Sequence, residues 1–276
     1  MVPNHSSSQS HRISILTPSF NQAQYIEQNI RSVMEQGYPD FEHIIVDDGS
    51  TDETVSILRR YPHLKWITQP NRGQANALNR ALSMSTGDII GWVNSDDYLE
   101  PGVFPHIARG FADHSVQWIV GGLTVVMEPS GQRIPRTSPV PTYRNLVWDP
   151  DIIRQPATFF RRSAIVQAGG WDEDLYMVMD LDLWLRVARK NPPVVVKRKY
   201  ACFRRHTAQK SGPRNAERQR LEISRVLSRH QAPLGARLTV SIRKRYYIFR
   251  STVRRFLECA SLLRYRSEPG LRSSNP

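Results

Sequence analysis

Two acidic clusters in the first hundred residues carry side chains of the type that binds cations and nucleotides. Asp47-Asp48-Gly49-Ser50-Thr51-Asp52 follows an apolar run at residues 43–46, and Asn94-Ser95-Asp96-Asp97 follows another at residues 89–93. Such runs are typical of buried parallel strands, and open α/β sheets bind their ligands at the carboxyl ends of those strands. Carboxylate oxygens suit a hard divalent cation such as Mg²⁺ or Mn²⁺. The two clusters therefore predict a site for a metal ion and a nucleotide.

Alternating apolar runs and helical patterns predict the scaffold that would position both clusters. Asn21 is a suitable N-cap for the first helix, and Ser50 with Glu53 has the spacing of a capping box for the second. Strands that alternate with helices at this spacing are joined by right-handed crossovers, so we expect an α/β fold with a mostly parallel sheet flanked by helices. The expected strands are residues 13–17, 42–46, 64–68 and 88–93, and the expected helices are residues 22–36, a helix after Ser50, and residues 73–85.

The regular alternation ends after Pro101. Proline and threonine dominate residues 135–142, which predicts a mobile loop. The expected elements of this half are helices at residues 103–112 and 180–190, a strand at 118–127 with a turn at 129–131 and a hairpin return, and strands at 157–160, 194–197 and 200–203.

Charge is distributed unevenly along the 276 residues. Residues 1–213 contain 23 Lys and Arg against 21 Asp and Glu, whereas residues 214–276 contain 15 against 4, so most of the net charge of +13 belongs to the tail. The two cysteines give neither a disulfide framework nor a metal-binding spacing, which fits a reducing cytosol. Residues 1–12 lack the apolar core of a signal peptide, and no apolar run is long enough to span a bilayer. We expect a cytoplasmic protein that is soluble or peripheral on the inner face of the cell membrane.

A series of motifs extends from Ile13 to Ser211. In this order they resemble the motifs of inverting glycosyltransferases of family 2, and the resemblance implies a GT-A nucleotide-sugar-binding fold. The domain boundaries expected from it are a disordered N-terminus at 1–11, a GT-A domain at 12–213, a basic helical extension at 214–266 and a disordered tail at 267–276. The motifs are Ser14-Ile15-Leu16-Thr17-Pro18-Ser19-Phe20-Asn21, the two acidic clusters, Asn71-Arg72-Gly73, Thr86-Gly87-Asp88, Gly169-Gly170-Trp171-Asp172-Glu173, Asp180-Leu181-Asp182-Leu183-Trp184-Leu185-Arg186 and Arg204-Arg205-His206.

The resemblance places the donor nucleotide in the first half of the chain. Asp48 would accept the imide N–H of a uracil-type base, which favours UDP. The residues alone leave open that Asp47 and Asp48 only cap the Ser50 helix and stabilise its turn. Gly73 would begin a helix whose N-terminus is an anion site, or it is simply a helix start. The other nucleotide-binding residues that the resemblance implies are Pro18, Phe20, Arg72, Asn76, Asn94 and Ser95.

The second acidic cluster is the expected site for Mn²⁺ or Mg²⁺. The family has an Asp-x-Asp pattern here, and this sequence has Asn94 in place of its first Asp. The resemblance implies that Asp96 is the chief ligand and that Asp97 supports it. A bound cation would neutralise the diphosphate leaving group. The alternative is that both carboxylates cap the helix that follows Pro101.

Asp180 is the expected catalytic base, because it aligns with the first Asp of the family pattern Glu-Asp-x-Asp-x-Trp. Met179 replaces the Glu of that pattern. Asp182 is two residues further on, so on a helix the two carboxylates point about 200° apart and only one can face a cleft. One base without a carboxylate nucleophile implies a single displacement with inversion through an oxocarbenium-like transition state. The alternative is an exposed helical acid paired with Arg186.

Further residues are assigned to the diphosphate and the acceptor by the resemblance. His206 would be a third metal ligand or a phosphate donor, and Arg205 and Lys210 would add positive charge. The alternative for all three is a solvated basic loop. Trp171 would line the acceptor side, and Asp172 would orient a sugar hydroxyl.

The basic tail carries an apolar stripe at spacings of three and four, which predicts an amphipathic helix. Arginines and Lys244 occupy much of its remaining surface, a combination that fits a helix lying on an anionic membrane. The alternative is that the stripe packs on the catalytic domain or on another subunit. The stripe consists of Leu238, Ile242, Tyr246, Phe249, Val253, Phe256, Ala260 and Leu263.

Together these features predict a metal-dependent inverting glycosyltransferase of the hexosyltransferase type, in bacterial cell-surface polysaccharide or glycolipid biosynthesis. It would move one sugar from a nucleotide-diphosphate donor to a hydroxyl of a saccharide or lipid-linked acceptor. One alternative is a non-catalytic nucleotide-sugar-binding domain, which Asn94 and Met179 keep open. A nucleic-acid-binding protein is disfavoured, because the acidic clusters would repel phosphate and no recognition module is present.

Overall fold

The computed structural model of the protein describes residues 11–243, 245 and 246. The expected disordered segments up to residue 10 and at 267–276, and the stripe from Phe249 onwards, lie outside this range. The strands are β1 (Ile13–Ser19), β2 (Phe41–Asp47), β3 (Lys65–Thr68), β4 (Ile89–Trp92), β5 (Tyr98–Leu99), β6 (Trp118–Met127), β7 (Gln132–Arg136), β8 (Thr158–Arg161) and β9 (Val194–Arg205). The helices are α1 (Ile26–Met34), α2 (Thr54–Leu58), α3 (Gln74–Met84), α4 (Val103–Gly110), α5 (Tyr143–Trp148), α6 (Arg162–Gln167), α7 (Met179–Ala188) and α8 (Ala216–Arg229).

The nine strands form one mixed sheet in the order β3-β2-β1-β4-β8-β6-β9-β5, with β7 paired to β6. The first four are parallel, as the alternation of strands and helices predicts. In the second half only β6 and β9 are parallel, while β8 is antiparallel to both β4 and β6. The expectation of a mostly parallel sheet therefore holds for the N-terminal half alone. Hairpin returns such as β6 to β7 need no crossover helix and give antiparallel pairs.

Helices cover both faces of the sheet and bury it. Every residue of β1 is buried, and alternate residues face different cores because side chains of a strand alternate between its faces. Leu16 belongs to a core shared with α3, α5, α6, α7 and α8. Ile13 and Ile15 belong to the opposite core, to which α4 contributes Val103, Phe104 and Ile107.

Both helix caps expected near the first acidic cluster are wrong. Asn21 has a left-handed backbone with φ 52°, and its side chain accepts the backbone N–H of Thr51 at 2.8 Å instead of capping a helix. The first helix consequently begins only at Ile26. Ser50 donates its hydroxyl to Asp47 and forms no capping box with Glu53. The Asn21–Thr51 bond and the Asn21 backbone N–H, which donates to Ser50 Oγ at 2.8 Å, join the loops after β1 and β2. The Ser50–Asp47 bond is a local contact within the turn.

Other differences concern the second half. The two short strands expected at 194–197 and 200–203 are one continuous strand, β9, whose pairing with β6 shifts register near Gly122. The hairpin of β6 and β7 is confirmed, and β7 extends to Arg136 at the start of the expected loop. Residues 234–243 are helical after α8, and none of the described helices is long and apolar enough to cross a bilayer.

A buried ion pair fixes the orientation of α7. Asp182 is 1% exposed and accepts from Arg186 Nε at 2.8 Å, while its other oxygen lies 3.0 Å from His230 Nε2. Arg186 therefore pairs with Asp182, and the expectation that Asp180 is an exposed acid paired with it is wrong. With Asp182 turned into the protein, Asp180 faces the opposite way, as the helical angle of about 200° requires.

We expect Asp182→Asn to lower the free energy of unfolding by about 3 kcal/mol, because Arg186 loses its buried counter-charge. Urea unfolding followed by circular dichroism measures this change. Asp174→Asn is the matched control, since Asp174 is exposed and its loss should cost under about 0.5 kcal/mol. Equal stability of the two variants would show that the ion pair does not hold α7 in place.

Candidate functional site

A cavity of about 850 Å³ opens at the carboxyl ends of β1, β2 and β4. It extends past β4 to the segment before β8 and is closed on one side by the start of α7 and by residues 207–212. The predicted site residues that line it are Pro18, Phe20, Asp48, Asn94, Ser95, Asp96, Asp180 and Lys210. Open α/β sheets bind ligands at this edge, so the cavity is the candidate site.

Asp47 and Asp48, at the end of β2, differ in their contacts. Asp47 is fully buried and accepts from the side chains of Ser50 and Thr68, so it stabilises the turn. Asp48 lines the cavity and accepts from Gln69 Nε2 at 2.8 Å. Burial raises the pKa of Asp48, and hydrogen bonds from Gln69 and from the backbone of residues 72 and 73 partly offset that rise. Phe20 lies at the cavity rim with a ring that is 46% exposed, where a flat ligand could stack.

Asn94 is held by its protein neighbours. Its side-chain oxygen accepts from Gln74 Nε2 at 2.8 Å and from Trp92 Nε1 at 2.7 Å. Its amide donates to Gln155 Oε1 at 3.0 Å. An amide can both accept and donate, which a carboxylate cannot, so Asn94 suits this network. Ser95 is buried and donates its hydroxyl to the Pro18 carbonyl at 3.1 Å.

Asp96 and His206 form the pair best placed for a cation. Asp96 lines the cavity, and its Oδ2 lies 3.2 Å from His206 Nε2. A carboxylate and an imidazole are both donors that Mn²⁺ accepts. Asp97 lies beneath them, fully surrounded by protein, and its Oδ1 accepts the backbone N–H of Arg204 at 2.9 Å.

The second oxygen of Asp97 is buried without a hydrogen-bond partner among the described residues. Burial, followed by the charge of Asp96, raises the pKa of Asp97 well above its usual range. A cation beside Asp96 would relieve that repulsion, so the donor set fits a divalent metal. No group of three or more His, Cys, Asp or Glu residues with metal-binding geometry occurs among the described residues.

Asp180 and Lys210 are the two titratable groups that burial in the cavity shifts most. Asp180 is in the first turn of α7, and burial raises its pKa to about 6 despite a hydrogen bond from the Leu181 N–H and attraction to Lys210. Burial lowers the pKa of Lys210 to about 8, and its Nζ donates to Gln74 Oε1 at 2.9 Å. At neutral pH most Asp180 is therefore an anion and most Lys210 a cation. Such a pair suits proton transfer and charge stabilisation.

Besides Asp97 and His206, the predicted residues Arg72, Asn76 and Arg205 lie outside the cavity lining. Arg72 is exposed, although its backbone N–H contributes to the environment of Asp48. Asn76 donates to Glu173 at 2.8 Å and has a structural contact there. Arg205 is exposed on the outer side of β9. Gly73 has φ 90° at the start of α3, a conformation that favours glycine, so the helix-start interpretation explains it.

Trp171 and Asp172 also lie outside the cavity lining. Trp171 is 3% exposed and packs edge-on against Trp92, with ring centroids 5.8 Å apart. Asp172 forms an ion pair with Arg229 of α8. Both therefore support the wall of the cavity behind Trp92 and α7, and their assignment to the acceptor stays a prediction.

The sequence analysis missed the residues that line the far side of the cavity. Arg136 ends β7, and Arg154 and Gln155 precede β8. Tyr176 lies at the mouth, where its ring is covered by Lys210 at 4.1 Å and by Arg218 at 3.9 Å. The signal for them was indirect: polar residues between Pro150 and Pro156 lie in a connection where the sequence predicts neither a strand nor an α-helix, and such connections often carry binding residues.

The geometry agrees with what known proteins show. The family model for glycosyl transferase family 2 matches residues 14–166, more than half of the chain. Chondroitin synthase of Pasteurella multocida is 29% identical over 180 residues, which are 64% of this chain but only 19% of the synthase. The chain thus spans about a fifth of the length of that relative.

Two solved structures show the same fold. Staphylococcus aureus TarS 1-349 in complex with UDP has a TM-score of 0.63 at 21% identity, covering 79% of this chain and 65% of that one. The mannosyltransferase PcManGT of Pyrobaculum calidifontis, in complex with GDP-Man and Mn²⁺, has a TM-score of 0.59 at 20% identity, covering 87% and 70%. Both likenesses indicate a GT-A-like fold with a mixed sheet.

We expect Asp96→Ala to weaken Mn²⁺ binding at least about tenfold in the presence of UDP, because such ions bind through few carboxylates and bridge phosphates. The free Mn²⁺ signal in electron paramagnetic resonance measures the affinity. Asp113→Ala is the matched control, because Asp113 is exposed and remote from the cavity. Unchanged binding in Asp96→Ala would move the metal away from this pair.

Proposed function

The chain belongs to glycosyl transferase family 2 and is a glycosyltransferase, and on that premise we propose a metal-dependent, inverting transfer of one sugar from a UDP-sugar. The acceptor would be a hydroxyl of a saccharide or a lipid-linked saccharide in cell-surface polysaccharide or glycolipid synthesis. One observation carries this proposal: a half-buried carboxyl, Asp180, lines the same cavity as Asp48 and as Asp96, whose Oδ2 lies 3.2 Å from His206 Nε2.

Asp48 and Phe20 support the choice of donor nucleotide. A carboxylate at the cavity wall can accept the imide N–H of uracil, and the exposed Phe20 ring offers a face for the base. A solved structure of the same fold, TarS, contains UDP. GDP in PcManGT shows that the fold also holds a purine nucleotide, so the base is tested by comparing nucleotides directly.

Asp180 is the proposed base. Its carboxylate would take the proton of the acceptor hydroxyl while that oxygen forms a bond to the anomeric carbon of the donor sugar. The bond from this carbon to the diphosphate oxygen breaks on the opposite face, and the configuration inverts. Asp182 cannot serve as a second carboxylate, because it is buried in the ion pair with Arg186.

The leaving diphosphate needs positive charge. Lys210 would supply one, because it lines the same cavity as Asp180 and interacts with it electrostatically. A divalent cation held by Asp96 and His206, with Asp97 behind them, would act as a Lewis acid on the diphosphate. The Mn²⁺ in PcManGT supports this assignment.

The relative that synthesises chondroitin supports a saccharide acceptor. A non-catalytic nucleotide-sugar-binding domain is the second possibility, since Asn94 and Met179 depart from the family pattern. Asn94 is fully engaged with Gln74, Trp92 and Gln155, which is a structural use of the amide. Met179 is buried beside Asp180 and removes a second carboxyl from its neighbourhood, which leaves the base intact. These contacts favour catalysis.

We expect Asp180→Asn to lower kcat/KM by about 10²- to 10⁴-fold, because an amide cannot accept the hydroxyl proton. UDP affinity, measured by calorimetry, should stay within about twofold, since Asp180 would act on the acceptor. Asp174→Asn, an exposed change on the preceding loop, is the control. Full activity of Asp180→Asn with any donor would contradict the role of the base and favour a different site.

The pH dependence follows from the two shifted groups. Asp180 must be ionised, so kcat/KM should rise as pH increases through about 6. Lys210 must be protonated, so kcat/KM should fall as pH increases through about 8. Lys210→Arg keeps the charge and should remove the alkaline limb while the acid limb stays. An alkaline limb that persists near 8 in Lys210→Arg would exclude Lys210 as its source.

We also propose that the C-terminal helix contacts an anionic membrane surface on the cytoplasmic side. Within residues 234–243, Ala236 and Val240 are buried against the catalytic domain. Leu234, Leu238 and Ile242 recur every fourth residue and are more than half exposed. Packing on the catalytic domain thus accounts for one face of residues 234–243. The other face is apolar and lies beside exposed arginines such as Arg243 and Arg245, a combination that favours binding to anionic lipid.

We expect the full-length protein to sediment with phosphatidylglycerol vesicles, and the Leu238→Glu/Ile242→Glu variant to lose at least about half of that binding. Val166→Glu is the control, since Val166 is equally exposed on α6. Binding to phosphatidylcholine vesicles, which carry no net charge, is measured in parallel, so that apolar insertion can be told from charge attraction. Wild-type protein that stays in solution with both vesicles would overturn the membrane proposal.

A further inference from the structure

Two arginines that have no place in the proposed donor site line the same cavity. Arg136 is at the end of β7, and Arg154 is in the segment between α5 and β8. In the sheet, β7 lies beyond β4, β8 and β6 from the strand that carries Asp48. The sheet order therefore separates both arginines from Asp48, while they line the same cavity as Asp180.

Neither arginine forms an ion pair with a carboxylate among the described residues, although the charges of Asp149 and Asp151 act on Arg154. Within the described part of the chain, no ion pair involves Arg136 or Arg154, although many other arginines there are paired. Arg154 donates through Nη1 to the backbone carbonyls of Asp151 and Ile153, and its buried Nε donates to no described atom. A guanidinium has five N–H donors, so Arg154 keeps unused donors at the cavity wall.

Without a bound anion, the positive charges of Arg136 and Arg154 repel each other. Burial, and next the positive charge of Arg136, lower the pKa of Arg154, while the charges of Asp149 and Asp151 act against this. Two cations held near each other in a partly buried wall gain free energy when an anion joins them. A guanidinium matches the two oxygens of a carboxylate or a phosphate in a bidentate geometry.

We propose that Arg136 and Arg154 form an anion subsite for the acceptor, which selects acceptors with a carboxylate or phosphate near the reacting hydroxyl. The inference rests on the proposed function, because it places the acceptor on the Arg154 side of Asp180. Lys210 and the Asp96–His206 pair already serve the donor diphosphate, so these arginines are not needed there. Neutral acceptors would leave both guanidinium groups without a partner.

Competing pairs of small molecules test the subsite on protein saturated with UDP and Mn²⁺. Methyl β-D-glucuronide is compared with methyl β-D-glucoside, in which a hydroxymethyl group replaces the carboxylate, and glycerol 3-phosphate is compared with glycerol. Ligand-observed NMR titration gives each affinity. We expect one charged probe to bind at least about tenfold more tightly than its neutral counterpart, and the probe that does so identifies a carboxylate or a phosphate.

Variants assign the preference to the two residues. Arg154→Gln and Arg136→Gln should each reduce it at least about threefold, with UDP affinity unchanged. Arg136 is exposed, so its variant tests the subsite even where Arg154→Gln affects folding. Arg144→Gln, an exposed arginine on α5, should behave as wild type.

The proposal is overturned when the charged probes bind no better than the neutral ones, or do not bind, or when both variants keep the preference. UDP affinity is measured in the same samples. Protein that fails to bind UDP contradicts the proposed function itself, whereas protein that binds UDP without preferring an anion contradicts the subsite alone.

Discussion

The end of β1 is the constraint on which the site depends. This strand lies between β2 and β4, and its last residues hold both acidic clusters in place. The backbone N–H of Asp48 donates to the Ser19 carbonyl at 2.8 Å, and the Ser95 hydroxyl donates to the Pro18 carbonyl at 3.1 Å. Parallel pairing brings the carboxyl ends of β1, β2 and β4 to one edge of the sheet, so Asp48 and the Asp96–His206 pair become neighbours. A change in the register of β1 would move Asp48 away from that pair.

Burial then gives these residues their chemistry. Burial in the cavity raises the pKa of Asp180 and lowers the pKa of Lys210, so the two pKa values lie closer together, one on each side of neutral pH. The orientation of Asp180 comes from the other side of α7, where Asp182 is bound to Arg186 and His230. Helix α8 also takes part, because Glu222 accepts the backbone N–H of Met177 just before α7. The C-terminal segment is thus part of the catalytic domain's support.

Much of this could be predicted from the sequence, for identifiable physical reasons. The first four strands are apolar runs of the length of a buried strand, and the carboxylates that follow them could be placed at one edge from topology alone. The angle between Asp180 and Asp182 follows from helix geometry. The contact of Asn21 could not be predicted, because its partner Thr51 lies on another loop. Ser50 instead bonds to Asp47 within its own turn, a local alternative to the capping box. Arg136 and Arg154 were missed for a similar reason: only the mixed half of the sheet brings them to the cavity.

The central claim is that this cavity holds a uridine diphosphate with its base at Asp48 and its phosphates at Asp96, His206 and Lys210. A crystal structure of the protein grown with UDP and Mn²⁺ tests it most directly. We expect uracil within hydrogen-bond distance of Asp48, Mn²⁺ bound by Asp96, and Asp180 facing open space beyond the terminal phosphate. UDP bound outside the cavity, or with its base beside Arg154, would show that these residues do not form the donor site.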